Sequence, residues 1–209
     1  MIAKSFSMGE ALSFGWEVTK AHFLFLVGVV VLAGLIGGLP QAFAEQTRSA
    51  ALSCVLGIAS FVLNTIVGMG LTNIALKLAD RQAPELADLF APAPLFLNYL
   101  LAEILYSLMV GIGLVFFIVP GIILGVIFAF YGYVIVDRGA GPIEALGRSA
   151  ELTKGVRMDL FLFGLLIIGI NILGALALGI GLLVSVPVSM VAGAHVYRRL
   201  DAQTGPATA

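Results

Sequence analysis

Glu103 is the one Asp, Glu, Lys or Arg in a 42-residue apolar run from Leu95 to Val136. An ionised carboxylate is costly in hydrocarbon, so such a residue is protonated, paired or turned to a wet cavity, which is the chemistry of a proton or cation site. Asn98, Tyr106 and Tyr133 lie in the same run, and Asn73 and His195 lie near the basic ends of two others. Together they are the groups that could complete an intramembrane polar site around Glu103. The competing role for such residues is a hydrogen bond between packed helices, and this is the role expected of Asn64 and Asn171, near the middles of their runs. A second set is basic. Arg148, Lys154 and Arg157 could engage anionic lipid phosphates from one stretch of chain, although Glu144 also pairs favourably with Arg148 at helical spacing and a solvated face explains the set equally well.

Reactive chemistry is thin elsewhere. His22 and His195 are the only histidines and cannot form a dedicated metal cluster without carboxylates. The sequence has no phosphate-cradling glycine loop ending in Lys, no zinc-binding histidine pair and no serine in a nucleophile elbow. No catalytic residue, metal or cofactor is therefore expected, and the chain is not expected to be an enzyme. A net charge of −1, with acids set among the bases, gives no reason for a nucleic-acid partner. Cys54 is the only cysteine, so an internal disulfide is impossible, and its apolar setting predicts a small buried hydrophobe.

The elements that position these residues are set by composition. With 60% hydrophobic and 11% charged residues and a mean hydropathy of +1.10, too few charges exist to clothe a soluble globule. Ten of the eleven Lys and Arg residues form four clusters: Lys4 and Lys20; Lys77 and Arg81; Arg138, Arg148, Lys154 and Arg157; Arg198 and Arg199. Long apolar runs separate them, and Arg48 stands alone. If short basic loops stay cytoplasmic, both termini are cytoplasmic and six spans are needed. Lengths agree. Leu95–Val136 would reach ~63 Å as one helix, about twice the hydrocarbon thickness, so it must double back. Pro120 and Gly121 mark the expected turn, loosened by Gly111 and Gly113. The 38 uncharged residues from Leu160 to Tyr197 must also turn, with Gly179, Gly181 and Pro187 as markers. Phe23–Ala44 and Ala50–Leu76 form the remaining pair. Ala42-Phe43-Ala44 imitates a secretory cleavage site, but Glu10 and Glu17 precede the run and the run is long for a signal core, so no cleaved signal is expected.

Residues 10–20 share six of eleven identities with residues 144–154, Gly111-Ile112-Gly113-Leu114 recurs as Gly179-Ile180-Gly181-Leu182, and Asp80-Arg81 recurs as Asp137-Arg138. These echoes predict three related modules, each a short cytoplasmic interfacial amphipathic helix feeding a hairpin. In the first helix Glu10, Ser13, Glu17 and Lys20 share one face, and Met8, Ala11, Leu12, Gly15 and Val18 the other. Ser7 has capping-box spacing to Glu10, and Pro84 and Pro142 suit first-turn positions of the later helices. Continuation of the first helix straight into the first span is the competing arrangement. Small residues at Gly34 and Gly38, and at Gly121, Gly125 and Ala129, predict faces of close helix approach.

Val119-Pro120-Gly121-Ile122, Tyr133–Asp137 and the stretch Gly141-Pro142-Ile143-Glu144-Ala145-Leu146-Gly147-Arg148-Ser149-Ala150-Glu151-Leu152-Thr153-Lys154-Gly155 resemble a family of uncharacterised bacterial six-span membrane proteins. That group includes the membrane domain fused to glycerophosphoryl diester phosphodiesterases. The specific resemblance covers about residues 111–200, and the first half matches only in layout. It implies membership of a fold group and no activity; the phosphodiesterase activity is not expected here, because no segment matches that soluble domain.

The expected fold is thus an all-α integral membrane protein: six transmembrane helices in three hairpins, each preceded by a short cytoplasmic interfacial amphipathic helix. Residues 1–200 form one domain, with modules at about 5–77, 84–137 and 142–200, followed by a short flexible tail at 201–209. The expected location is the bacterial inner membrane. The leading expectation for function is a non-catalytic module that binds or organises lipids or proteins. The alternative is a small transporter or channel using Glu103 and nearby polar residues. Membrane lipids are the expected partners, with other membrane proteins or further copies of the chain beside them.

Overall fold

The structure, a computed structural model, describes residues 4–47, 49–177 and 179–205. Among these residues it is helical, without strands: α1 (Met8–Ala21), α2 (Phe23–Gln46), α3 (Ala50–Ala79), α4 (Phe96–Phe116), α5 (Ile118–Ile127), α6 (Tyr131–Arg138), α7 (Pro142–Thr153), α8 (Arg157–Leu176) and α9 (Leu182–Thr204). Five segments are long and apolar enough to cross a bilayer: Phe23–Gln46, Ala50–Ala79, Leu86–Phe116, Ile118–Arg138 and Arg157–Leu176. Large apolar side chains such as Leu24, Val55, Leu108, Val115 and Leu173 face outward along them. Water would not tolerate so continuous an apolar surface, whereas lipid does.

α9 is the helix on which the others converge, in contact with α1, α2, α3, α7 and α8. Val191, Ala192, Ala194, Val196, Tyr197 and Leu200 of this helix are all wholly buried. α1 is separate from α2, broken at His22 (φ −115°, ψ 27°), and starts where the sequence signals it, with the Ser7 hydroxyl accepting the Glu10 N–H at 3.3 Å. Its buried stripe is Ala11, Gly15 and Thr19, laid on α9. There the face expected to meet lipid meets protein: a Cβ at Gly15 would stand 2.6 Å from the Val188 carbonyl oxygen.

The first and last hairpins are tied by polar groups with few alternatives in apolar surroundings. Ser60 Oγ donates to the Gly37 carbonyl at 2.8 Å between α2 and α3, and Asn64 Nδ2 donates to the same carbonyl at 3.4 Å. Asn171 of α8 donates to Ser189 and accepts from Ser185, both of α9, each at 2.9 Å. The two mid-span asparagines are therefore interhelical clamps, as expected. Small-residue packing follows a different register from Gly34 and Gly38: both are exposed and meet nothing, while Gly37 lies against Asn64. Gly121 does pack closely, with Gly113 on α4.

The turns shift too. The α4–α5 reversal is the single extended residue Phe117 (φ −157°, ψ 133°), and Pro120 falls in the first turn of α5, where a proline is tolerated. Pro187 lies inside α9, so the α8–α9 turn falls before it, with Gly179 at φ +75°. No interfacial helix begins at Pro84. Residues 84–95 instead form two 3₁₀ turns, Leu86–Leu89 and Ala93–Leu95. Pro92 and Pro94 remove donors that a helix would need, while Lys77 (2.5 Å) and the Glu85 N–H (2.7 Å) hold Asp88, and Asn73 donates to its carbonyl at 3.1 Å. These bonds press Leu89 onto α3 at Gly70.

Two further expectations are corrected. Cys54 is exposed on α3 rather than buried. α9 runs on to Thr204 rather than giving way to a tail after residue 200, and there Gln203 exchanges hydrogen bonds with the Ser5 backbone (2.9 Å each) and Asp201 is held by two arginines. Residues 206–209 and Arg48 lie outside the described residues.

A Cβ at Gly70 would overlap the backbone of Leu89, whereas one at Gly68, two residues earlier on the same helix, meets nothing within 4 Å. Gly70→Ala is therefore expected to destabilise by about 1–3 kcal/mol, read as a lower unfolding midpoint in detergent, with Gly68→Ala near the parent. Equal midpoints for the two variants would contradict the docking of this segment.

Candidate functional site

The structure divides the six residues of the expected polar site among separate places. Tyr99, Glu103 and Tyr106 share one face of α4, and both tyrosines pack on Tyr131 of α6, at centroid distances of 5.7 and 5.1 Å. Glu103 Oε2 is buried there without a hydrogen-bond partner. Tyr133 points the other way and stacks on Tyr197 of α9 at 5.5 Å. His195 stacks on Phe14 of α1 at 4.3 Å, its Nε2 buried and unpartnered. Asn73 serves the Asp88 carbonyl, and Asn98 is half-buried on α4 without a side-chain hydrogen bond among the described residues. Glu103 and a tyrosine face are thus brought together; Asn73 and His195 are engaged elsewhere.

The second apolar run after α4 is not one helix. Between α5 and α6 the helix breaks at residues 128–130, and a break inside apolar surroundings frees backbone groups that must find partners. α7 supplies them. Ser149 Oγ accepts the Phe130 N–H at 3.0 Å and donates to the Ile127 carbonyl at 3.0 Å, to which Thr153 Oγ1 also donates at 3.1 Å. Gly139, with φ +65°, closes α6 in the left-handed region so that the chain can fold back into α7. Four residues apart, Ser149 and Thr153 lie one helical turn apart on the face that carries the buried Ala145 and Leu152.

Arg148, on the same helix, is 5% exposed. Its guanidinium donates to Asp201 (2.9 Å), Glu151 (3.1 Å) and the Gly205 carbonyl (2.6 Å). It is spent on protein rather than presented to lipid, which corrects its expected role. Asp201 also accepts from Arg138 at 2.6 Å; nearby, Arg198 joins Asp137 (2.8 Å) to Asp80 (2.7 Å), and Tyr197 donates to Asp137 at 2.8 Å. Burial opposes ionisation of Asp201, but Arg148 and Arg138 outweigh it and hold the carboxyl below its ordinary range. The hydrogen bond from Arg199 likewise holds Glu10 low.

Lys154 and Arg157 stay exposed at the α7–α8 corner, and among the described residues neither forms a salt bridge. Lys4 stands close by, its Nζ donating to the Glu151 carbonyl at 2.5 Å; burial, then the charge of Arg148, pushes its pKa down despite Glu151. Arg157 is also the one charged residue lining a groove of about 530 Å³ between α5 and α8, walled by Val119, Ile122, Ile123, Val126 and Phe161. Sequence reasoning missed this groove, along with Ser149, Thr153, Asp201 and Lys4. The repeated small hydroxyls at 149 and 153 were the only available signal.

Residues 112–204, less than half the chain, match a family described as a protein of unknown function (DUF975). The match begins at the end of α4 and covers the helix break, the groove and α9. A UPF0259 membrane protein of Sodalis glossinidius (strain morsitans) is 30% identical over 114 residues, spanning 54% of this chain and 46% of that relative. The matched part is therefore under half of the relative's own length. No solved structure matches. With its apolar helices, the chain is a membrane protein similar to uncharacterised membrane proteins, and no activity comes with the likeness.

Because its folded pKa is lowered, Asp201 contributes stability that is whole above its ordinary value of 3.8 and is lost as pH falls through the depressed folded value. Asp201→Asn is expected to cost about 3 kcal/mol near neutral pH by leaving Arg148 and Arg138 underpaired, and to flatten the acid limb of the unfolding midpoint plotted against pH. A variant with the parental midpoint and acid limb would contradict this assignment.

Proposed function

We propose that this chain is a non-catalytic, lipid-binding module of the bacterial inner membrane that organises anionic lipid at its cytoplasmic face. It crosses the bilayer six times, with the part of α9 before Arg198 as the sixth span and both termini in the cytoplasm. α9 falls short in hydropathy because it carries Ser185, Ser189, His195, Arg198 and Arg199, and a helix surrounded by other helices has no need of a lipid-soluble surface. The placement of Arg138, Lys154, Arg157, Arg198 and Arg199 at one end of the helices supports that orientation. α1 and α7 lie at the cytoplasmic boundary, packed on protein along one face. The resemblance to the membrane domain fused to glycerophosphoryl diester phosphodiesterases belongs to this proposal as a likeness of membrane scaffold, without the phosphodiesterase activity.

One observation carries the reading: an apolar groove between two helices with Arg157 on its wall and Lys154 beside it. A guanidinium binds a phosphate through charge-assisted hydrogen bonds, while the groove takes apolar surface from the same molecule. The polar residues once grouped at Glu103 do not converge in this way. Partners beyond lipid, whether other membrane proteins or further copies of the chain, remain part of the proposal without a residue assigned to them.

A second reading, a small transporter or channel, is favoured by the unpartnered Glu103 Oε2 beside three tyrosines. In reconstituted vesicles Glu103→Gln would abolish proton-coupled flux on that reading; no flux from the parent, or equal flux from the variant, removes it.

For the lipid reading, each basic residue near an anionic surface contributes ~1 kcal/mol, so replacing Lys154 and Arg157 with Gln is expected to weaken retention of phosphatidylglycerol about thirtyfold. Native mass spectrometry of detergent-extracted protein, with phosphatidylcholine as the neutral comparison, measures it. Retention indifferent to lipid charge in the parent would contradict the proposal.

A further inference from the structure

The groove at Arg157 shares part of its wall with a neighbouring hollow. Ile122, Val126 and Phe161 line both the groove and a second, larger hollow of about 660 Å³ among α4, α5, α6, α8 and α9, which opens outward beside the exposed Leu165 and Ile168. That size falls within the ~300–1,000 Å³ of ordinary small-molecule sites. Its wall is mostly large apolar and aromatic side chains, interrupted by Gly125, Gly164 and Gly193, and its polar groups are few: the hydroxyls of Tyr106, Tyr133 and Ser189. Ser189 already accepts a hydrogen bond from Asn171, and the Tyr133 hydroxyl lies against Gly193. The cavity therefore offers little to hold ordered water, which needs several polar partners, and its lining forfeits dispersion contacts while it stands empty.

We infer that one acyl chain of an anionic phospholipid, its phosphate held at Arg157, passes between α5 and α8 and fills this cavity; the inference rests on the lipid reading above. The occupant is fixed by two features of these adjoining hollows. Arg157 gives the groove a positive charge complementary to a phosphate, and apart from three hydroxyls the surface inward of it is apolar. The bilayer supplies a molecule with that pairing of charge and chain at the helix surface. Gly164 keeps the passage wide, since a Cβ built there meets nothing within 4 Å. A side chain larger than hydrogen at 164 enters open space and fills the cavity without forcing the backbone. The site then recognises the lipid by its chain as well as by its charge, which distinguishes a seated lipid from one merely gathered at a basic surface.

The test uses the full chain in nanodiscs containing phosphatidylglycerol with a photoreactive diazirine at the end of one acyl chain, and mass spectrometry to locate adducts. Adducts on Phe163, Ser189 or Gly193, lost in Gly164→Phe while the preference for anionic lipid persists, support the inference. Adducts confined to the outward-facing Leu162, Leu166 and Leu173, with that preference intact, overturn the placement of the chain and leave the lipid reading standing. Absence of any preference for anionic lipid overturns both, wherever adducts fall. A Gly164→Phe protein with the parental unfolding midpoint shows that the lost adduct reports a filled cavity rather than a misfolded chain.

Discussion

A peptide group without a hydrogen-bond partner is not tolerated in apolar surroundings, and the placement of the second half of this chain follows from how that demand is met at residues 127–130. The segment from Ile118 to Arg138 is apolar enough to span, yet it is two helices rather than one. Ser149 bridges the break by accepting from the Phe130 amide at the start of α6 and donating to the carbonyl three residues earlier, and Thr153 adds a second donor. These bonds draw α7 against the break. Once α7 is there, Arg148 faces Asp201 and clamps the end of α9, and the chain leaves α7 at Lys154 to start α8 at Arg157, beside α5. The position of the groove is thus a consequence of filling a hole in the hydrogen-bond pattern.

The central helix shows the complementary economy. α9 carries more polar residues than the five strongly apolar segments, but its serines are matched by Asn171 and its arginines by Asp80, Asp137 and Glu10. Charge that is paired at the helix ends fixes the relative heights of α1, α3, α6 and α9. Charge that is left unpaired, at Lys154 and Arg157, is available to something outside the protein. That partition between internal and external use separates Arg148 from its neighbours better than its residue type does.

Much of the architecture was legible in the sequence because local rules govern it. Run lengths required the long apolar segments to reverse, Ser7 announced the start of α1, Pro142 the start of α7, and mid-span amides at 64 and 171 pointed to helix clamps. Errors fell where a local signal competed with a distant partner. Pro120 reads as a turn, but it can sit in the first turn of a helix once Phe117 has reversed the chain. Pro84 reads as a helix start, yet Asp88 is captured by Lys77 eleven positions away and a 3₁₀ turn results. Arg148 reads as a lipid contact until Asp201, 53 positions on, is placed against it. The polar site at Glu103 was half legible: residues one turn apart on α4 share a face, but sequence alone could not tell that His195 and Asn73 serve other helices.

The measurement closest to the centre of this account is the unfolding midpoint of Ser149→Ala against that of Ser13→Ala, whose hydroxyl bonds within the exposed part of α1. Leaving the buried Phe130 amide without its acceptor is expected to cost about 1–3 kcal/mol at position 149, with Ser13→Ala close to the parent. A Ser149→Ala protein that unfolds at the parental midpoint would mean that α7 is not held by the helix break, and the chain of placements from that break to the groove would fail.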